Sequence, residues 1–566
     1  MKKLNVILLI LSFILSGIGS IFLFDVKNTT NDSIQTTEPI KDIVTEEIVY
    51  TEKSYEDYFV DYNISKDTIT EDDLSGSGTE TNPYLIKSLK GFLYIINNDK
   101  SKISLSNKYL RLTCDIILND ETFDENGNPS GGDGTYYNFE YYAQTIYSFD
   151  GDGFSVKGLY SKDSTNTKDV SLFHKLEYLQ NINMENYYLE GKNAEGLSCS
   201  TVTNVLNCSV SGGYMYGSSA VEGIVYIAYN MENCISNSTL YGGARGTGLA
   251  RILKKSAKNC KNYSNITVNE VQAAGLFHTI DTTKGIEVVL ENCVNYGTVI
   301  GLDTDYTAGI VGDSMYNMWV TMKNCANYGE VNGKSYTASI IALARGTITI
   351  YNCTSQAVIK GQTKAKVGEF VAMPFVNAIV IIDRGIVKSS NNLALIEMPY
   401  KTSISNYISI SILNTQINLK KTESQKQSSI FIGTAGDVDD LLIRNCVINI
   451  KEDAKYNMSL FENSINPSKY TPIKNITVSN VLLVAKNIQK NVLISNNIHK
   501  DDNYLVDGIV YQLKDKNVYY GSDFSGYFFS WRTGEIGLIA FEGRGSFQGK
   551  IDEEWLKNKG YEKKSV

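Results

Sequence analysis

The side chains able to do chemistry are few in this 566-residue chain. Its three histidines, His174, His278 and His499, lie far apart in sequence, which excludes a multi-histidine metal centre. Acidic residues gather at two places, Asp303/Asp305 and the run Gly436-Asp437-Val438-Asp439-Asp440-Leu441. Glycoside hydrolysis needs two carboxyls facing across a sugar, one as acid and the other as base or nucleophile. Asp437, Asp439 and Asp440 could supply such a pair from one turn of chain. Asp303 and Asp305 read as turn formers. Asp150-Gly151-Asp152-Gly153 could offer oxygens to calcium, but one such turn lacks the roughly six ligands required, so it reads as a plain turn. Gly242-Gly243-Ala244-Arg245-Gly246 is a glycine-rich turn of low specificity. No Ser-His-Asp or Cys-His arrangement and no phosphate loop can be assembled. The sequence therefore assigns no catalytic, cofactor-binding or metal-binding residue, and it implies no cofactor.

The elements that would have to position any site are repeats. An Asn-Cys pair recurs at Asn207-Cys208, Asn233-Cys234, Asn259-Cys260, Asn292-Cys293, Asn324-Cys325 and Asn352-Cys353, and again at Asn445-Cys446. The first six follow one another at intervals of 26 to 33 residues, a period typical of solenoids. A small residue before an aliphatic or aromatic one follows in phase: Gly223-Ile224, Gly248-Leu249, Gly275-Leu276, Gly309-Ile310, Ser339-Ile340 and, more loosely, Gly368-Glu369-Phe370. Gly196-Leu197 is an earlier copy. Runs such as Thr347-Ile348-Thr349-Ile350 and Ile379-Val380-Ile381-Ile382 read as short strands of β-branched residues between Asn, Gly, Ser and Asp turns.

Short strands at this period predict a β-solenoid whose coils pair about 4.8 Å apart. Cys, small and readily buried, suits an inward column at one corner. Asn beside it tolerates left-handed turn geometry. Gly is expected to let the backbone bend tightly at the other corner. Corner cysteines on adjacent coils lie within disulfide range, but nine is an odd number, and the spacing favours a ladder of free structural thiols. Zinc is disfavoured because no C-x-x-C pair exists.

Tyrosine is abundant, with 38 copies. Tyr263, Tyr296 and Tyr328 each stand three residues after a landmark Cys and should stack in successive coils. Turned inward they would form a packing ladder, the expected arrangement. Turned outward they would form a strip suited to sugar rings or partner proteins.

The formal charge of −9 and pI near 5.2 argue against a nucleic-acid binder. Residues 25–73 hold about 14 acids and 4 bases, so the acidity resides in an expected linker or stalk. Lys2 and Lys3 followed by the largely apolar run Leu4 to Phe24 read as a secretory signal or an uncleaved anchor. The body is expected outside the cell, held to the membrane where the segment is retained.

These residues resemble exported bacterial β-helix proteins with GLUG-type repeats, found in surface adhesins and beside the protease domain of IgA peptidases. The sharpest copies are Asn292-Cys293-Val294-Asn295-Tyr296-Gly297 leading to Ala308-Gly309-Ile310-Val311-Gly312, and Asn324-Cys325-Ala326-Asn327-Tyr328-Gly329. Gly76-Ser77-Gly78-Thr79 with Asn82-Pro83-Tyr84-Leu85-Ile86 resembles the opening segment of such helices. Leu89 to Ile96 would be a capping helix, Leu110 to Ile116 the first strand and Phe149 to Leu159 the first full coil. The region around Trp531 and Trp555 resembles a closing module. The resemblance covers about residues 74–566 and weakens after about 395. It implies fold and export. The His-Glu-x-x-His signature of the IgA peptidases is absent, so their activity does not carry over. The 436–443 run faintly resembles the paired-Asp segment of polygalacturonase-like hydrolases, without its Gly-His and Arg-x-Lys companions.

The expected architecture is all-β: a right-handed parallel β-helix with an N-terminal helix and a C-terminal cap. Its parts are a signal or anchor (1–24), an acidic linker (25–73), a β-helix of GLUG-like repeats (74–510) and a capping module (511–566). About 15 coils would make a rod roughly 70 Å long. The expected function is a bacterial surface adhesin or interaction scaffold that binds an extracellular glycan or protein through its flank. Its alternatives are a polysaccharide-active hydrolase or lyase, and a passive envelope component.

Overall fold

The computed structural model describes residues 48–548, apart from 65–68, 97–102, 140–144, 363–364, 391–393, 404, 420–427, 436–437 and short segments between 451 and 543. Beyond residue 450 it describes backbone strands, with side chains only at Thr477 and Val481. The expected signal at Leu4 to Phe24 and the residues Asp437, His499 and Trp555 lie outside the described residues. Among the described residues no helix is long and apolar enough to cross a membrane.

Nearly every described strand belongs to one stacked parallel sheet system. On one face Ser198–Leu206 pairs with Val225–Glu232, then Ala250–Lys258, Glu287–Glu291, Trp319–Lys323, Thr347–Tyr351, Ile379–Asp383 and Ser409–Leu413. Each strand thus pairs in parallel with its counterpart one repeat away, which is a parallel β-helix. The β-branched runs supply the core by alternation. Ile348 pairs in register with Val380 and Ile350 with Ile382, and all four are fully buried. The helix Leu89–Ile96 is present as expected. Phe92, Leu93, Ile95 and Ile96 are buried, so it closes the apolar end of the stack.

Asparagine makes the first corner. Asn181, Asn207, Asn233, Asn259, Asn292, Asn324 and Asn352 all have φ between 52° and 54°, the left-handed region that Asn enters at low cost. Their side chains form a surface ladder in which each Nδ2 donates to the Oδ1 one coil back, at 2.7–3.2 Å from Asn207 to Asn352. The ladder starts on Asp150, which accepts from Asn181 at 2.9 Å. The next residue on each coil turns inward, and Cys208, Cys234, Cys260, Cys293, Cys325, Cys353 and Cys446 are all buried, with no disulfide between them.

Glycine makes the second corner, for a reason other than the expected tight bend. None of Gly196, Gly223, Gly248, Gly275 and Gly309 has positive φ. A Cβ on Gly275 would lie 2.0 Å from the Gly309 carbonyl oxygen, and one on Gly223 would lie 1.9 Å from that of Gly248. Close stacking of successive coils, not backbone conformation, demands glycine here. Where Ser339 and Glu369 take this place, the inward residue facing the corner accommodates them. Asn327 Nδ2 donates to Ser339 Oγ at 3.1 Å, and Ser355 Oγ donates to Glu369 at 3.0 Å.

Within the expected linker, the part from Thr51 is folded. Thr51–Ser54 pairs with Thr135–Asn138. The helix Tyr55–Asp61 follows, closed by a Ser54/Asp57 capping box, and it buries Tyr55, Tyr58 and Phe59.

Candidate functional site: a cleft along the glycine corner

Side chains before and after the glycine corner meet on the outside of the solenoid. Tyr306 and Tyr336, from strands before the corner, cluster with Leu343, Met373 and Met398 from strands after it, apart from the main core. The outer side of this corner is therefore concave, and successive coils extend it into a cleft along the rod. Before the corner, Arg245, Gln272, Tyr306, Tyr336 and Lys366 stack in register. After it, Thr279, Asp313, Leu343 and Met373 do the same.

The N-terminal half of the cleft is polar. Glu195, Glu222 and Thr247 immediately precede Gly196, Gly223 and Gly248, and they stack in register on three successive coils. Glu195 and Glu222 are each 1% exposed. Arg251 Nε stands 3.3 Å from Glu222 Oε1, and its guanidinium lies 5.1 Å over the Tyr226 ring. Burial pushes both carboxyls up, Glu222 to about 7; the neighbouring Arg251 pulls the other way without cancelling it. Glu222 further raises Glu195 by like-charge repulsion. Among the described residues Glu195 Oε2, both Glu222 oxygens, Thr247 Oγ1 and His278 Nε2 have no hydrogen-bond partner. His278 is held neutral, its ring pushed down to about 3 by burial and by Arg251 and Arg245.

The C-terminal half is aromatic. Tyr306 stacks on Tyr336 with ring centroids 5.7 Å apart, and Phe375 on Tyr400 at 5.8 Å. Arg345 lies 4.6 Å over Tyr316 and 5.6 Å over Phe375. It stands 3.5 Å from Asp313, whose carboxyl burial pushes up to about 7.

The acidic run proposed for sugar chemistry is structural in its described part. Asp439 is 4% exposed, is ion-paired with the buried Lys401 and accepts from the Ile408 N–H at 2.9 Å. Asp440 accepts from the Tyr407 hydroxyl. Asp303 pairs with Lys334 at the surface. Asp150 accepts from its own turn and from Asn181, beside Arg111. Arg245, from the glycine-rich turn, stands in register with Gln272 on the strand before the corner. Among the described residues no group of three or more His, Cys, Asp or Glu is placed to hold a metal ion.

The fold does assemble one Cys-His contact that sequence spacing did not reveal. Cys199 Sγ lies 3.2 Å from His174 Nδ1 at the cleft rim. Burial, then the nearby Glu195, push this thiol up to about 12, so it stays protonated and is a poor nucleophile.

Tyr263, Tyr296 and Tyr328 face outward, against the expected inward packing ladder. They are 42%, 43% and 37% exposed, with centroids 4.8 and 5.3 Å apart and ring planes within 5° and 12°. The physical reason lies one residue earlier. Asn262, Asn295 and Asn327 take the inward position at 0% exposure, with Nδ2-to-Oδ1 bonds of 2.8 Å between successive coils. Alternation from Cys through Asn then puts Tyr outside.

No family model matches the chain. The chain is 30% identical over 161 residues to halomucin of Haloquadratum walsbyi, a match covering 27% of this chain and 2% of halomucin. The chain thus spans a very small part of that relative's length. A crystal structure of a proposed immunoglobulin A1 protease from Bacteroides ovatus aligns over 63% of this chain and 83% of its own, at 15% identity and a TM-score of 0.24, too weak a likeness to bear on function.

Proposed function

We propose that this protein is a bacterial surface adhesin or interaction scaffold, exported through Leu4 to Phe24, which binds an extracellular glycan or protein along the flank of its β-helix. The observation that supports the reading is the outward Tyr263–Tyr296–Tyr328 strip. Three large aromatic side chains kept in register at the surface add nothing to the core, whereas exposed aromatic patches serve binding. The rings stack on one another, so the strip presents ring edges and phenol oxygens rather than open faces. That surface favours hydrogen bonding and edge contacts over the stacking of sugar rings. Replacing the three tyrosines together with alanine should abolish attachment of the purified protein to cells or matrix that it otherwise coats. Unchanged attachment, with the fold retained by circular dichroism, would reject the strip and move weight to a passive envelope role.

A further inference from the structure

Lys401 and Asp439 bring an amine and a carboxyl together inside the solenoid wall. Their side chains are 3% and 6% exposed, and Lys401 Nζ donates to Asp439 Oδ2. Lysine–carboxylate pairs elsewhere on the rod, such as Lys157–Asp115 and Lys360–Glu330, are open to water. Backbone contacts hold both partners of the buried pair in place. The Asp439 N–H donates to the Ile408 carbonyl at 2.8 Å, while Asp439 Oδ2 accepts from the Ile408 N–H at 2.9 Å. Tyr400, next to Lys401, donates its N–H to the Pro374 carbonyl at 2.9 Å and accepts from the Val376 N–H at 3.1 Å. Its ring stacks on Phe375. Taking two opposite ions out of water is costly. An amine and a carboxyl fixed in contact have a high effective concentration, and a site that excludes water suppresses the hydrolysis of any amide they form.

We propose that Lys401 and Asp439 condense to an intramolecular amide bond, with no co-reactant. A proton of the ammonium passes to the carboxylate across the contact between them, which leaves a neutral amine and a neutral acid. The amine nitrogen attacks Asp439 Cγ. The C–N bond forms as the C–OH bond breaks, and the hydroxyl leaves as water with one amine proton. Nothing is oxidised or reduced, and both buried charges disappear. Lys401 precedes Ser409–Leu413, and Asp439 precedes the strand Asp440–Ile450 that pairs with it on the next coil. The bond therefore closes residues 401–439 into a covalent ring around a full coil. It ties the rod where Ser339 and Glu369 have already replaced the corner glycine and where Arg384 stands in the left-handed position of the asparagine corner. A closed ring keeps neighbouring coils together when the rod is pulled or begins to unravel.

The full-length protein, reduced and denatured, is measured by intact-mass spectrometry and then digested with trypsin, beside Lys401→Met. The mass difference between the two proteins should depart from that of the substitution by one water, because only the wild type has lost it. The wild-type digest should lack cleavage after Lys401 and contain a branched peptide whose fragmentation joins Lys401 to Asp439. This peptide map decides the matter by itself should Lys401→Met fail to fold. Cleavage after Lys401 together with a linear Asp439 peptide overturns the proposal. So does a link from Lys401 to any other carboxyl, or a missing water that maps only to a dehydrated Asp150-Gly151 or Asp152-Gly153 step.

Discussion

Arg251 Nε stands 3.3 Å from Glu222 Oε1, yet no hydrogen bond joins them, and the carboxyl is pushed up to about 7. Desolvation outweighs the neighbouring cation because Glu222 is 1% exposed, and the like charge of Asp169 adds to it. An ion pair made only in part is weak compensation for removing an acid from water.

The sign of the pH dependence follows. The folded-state value of Glu222 lies above its ordinary 4.5, so the folded chain holds this proton more tightly than the unfolded one. Its contribution is full below about pH 4.5 and is lost as pH rises through about 7. The loss is on the order of 3 kcal/mol. Melting temperatures of the wild type relative to Glu222→Gln should therefore fall between about pH 4.5 and 7.5. A constant difference across that window would rule out the assignment.

The asparagine corner separates backbone conformation from side-chain bonding. Asn292 has φ 54° and takes part in two ladder bonds, at 3.1 Å to Asn259 and 3.2 Å from Asn324. Asn292→Gly keeps the left-handed turn and loses the bonds, costing about 1 kcal/mol because the ladder is exposed. Asn292→Ala adds about 1–2 kcal/mol of left-handed strain. Urea unfolding should rank them wild type, Gly, Ala, and equal midpoints for Gly and Ala would show that the corner does not hold this conformation.

The glycine corner answers to a different test. Gly275→Ala would press a methyl against the Gly309 carbonyl oxygen and the Asn295 side chain, at about 1–3 kcal/mol for overpacking. Gly285 has φ 90°, and a methyl there would meet nothing within 4 Å, so Gly285→Ala costs backbone strain alone. Both substitutions should destabilise, but only Gly275→Ala should also disturb the stacking of adjacent coils, read as faster amide exchange at Ala308 and Ala338.

The cysteine column predicts a labelling pattern. Cys114 and Cys199 are part-exposed and seven others are buried. Intact-mass analysis of the native protein with a maleimide should find Cys114 modified first, Cys199 slowly because its thiol is pushed up to about 12, and the ladder only after unfolding. Mass losses from disulfides in the untreated protein would contradict the free column.

The solenoid was legible because Asn-Cys and Gly recur at positions where geometry admits few alternatives. Left-handed φ selects Asn, and a carbonyl about 2 Å from any Cβ selects Gly. The cleft was harder to read. Glu195 and Glu222 each precede a landmark glycine, so their in-phase spacing was a usable signal, but nothing in one chain says that this position faces a concavity. Asp439 misled because its partner, Lys401, lies 38 residues away. The tyrosines misled because a buried Asn is rare without a partner, and the partner here is the same Asn on the next coil.

The tyrosine strip can be dissected by chemistry. Tyr263, Tyr296 and Tyr328 pack face to face at 4.8 and 5.3 Å, and Lys388 lies 5.6 Å from the Tyr328 ring, so the faces between the rings are occupied and the phenol oxygens are the polar groups that the proposed binding would use. Replacing all three by Phe keeps the stack and removes three hydroxyls, each worth about 0.5–1.5 kcal/mol in a hydrogen bond. Attachment should weaken at least tenfold in the Phe variant and vanish in the Ala variant. If the Phe variant attaches as well as the wild type, the strip works by apolar edge contact, and a partner with a greasy surface replaces one that accepts hydrogen bonds.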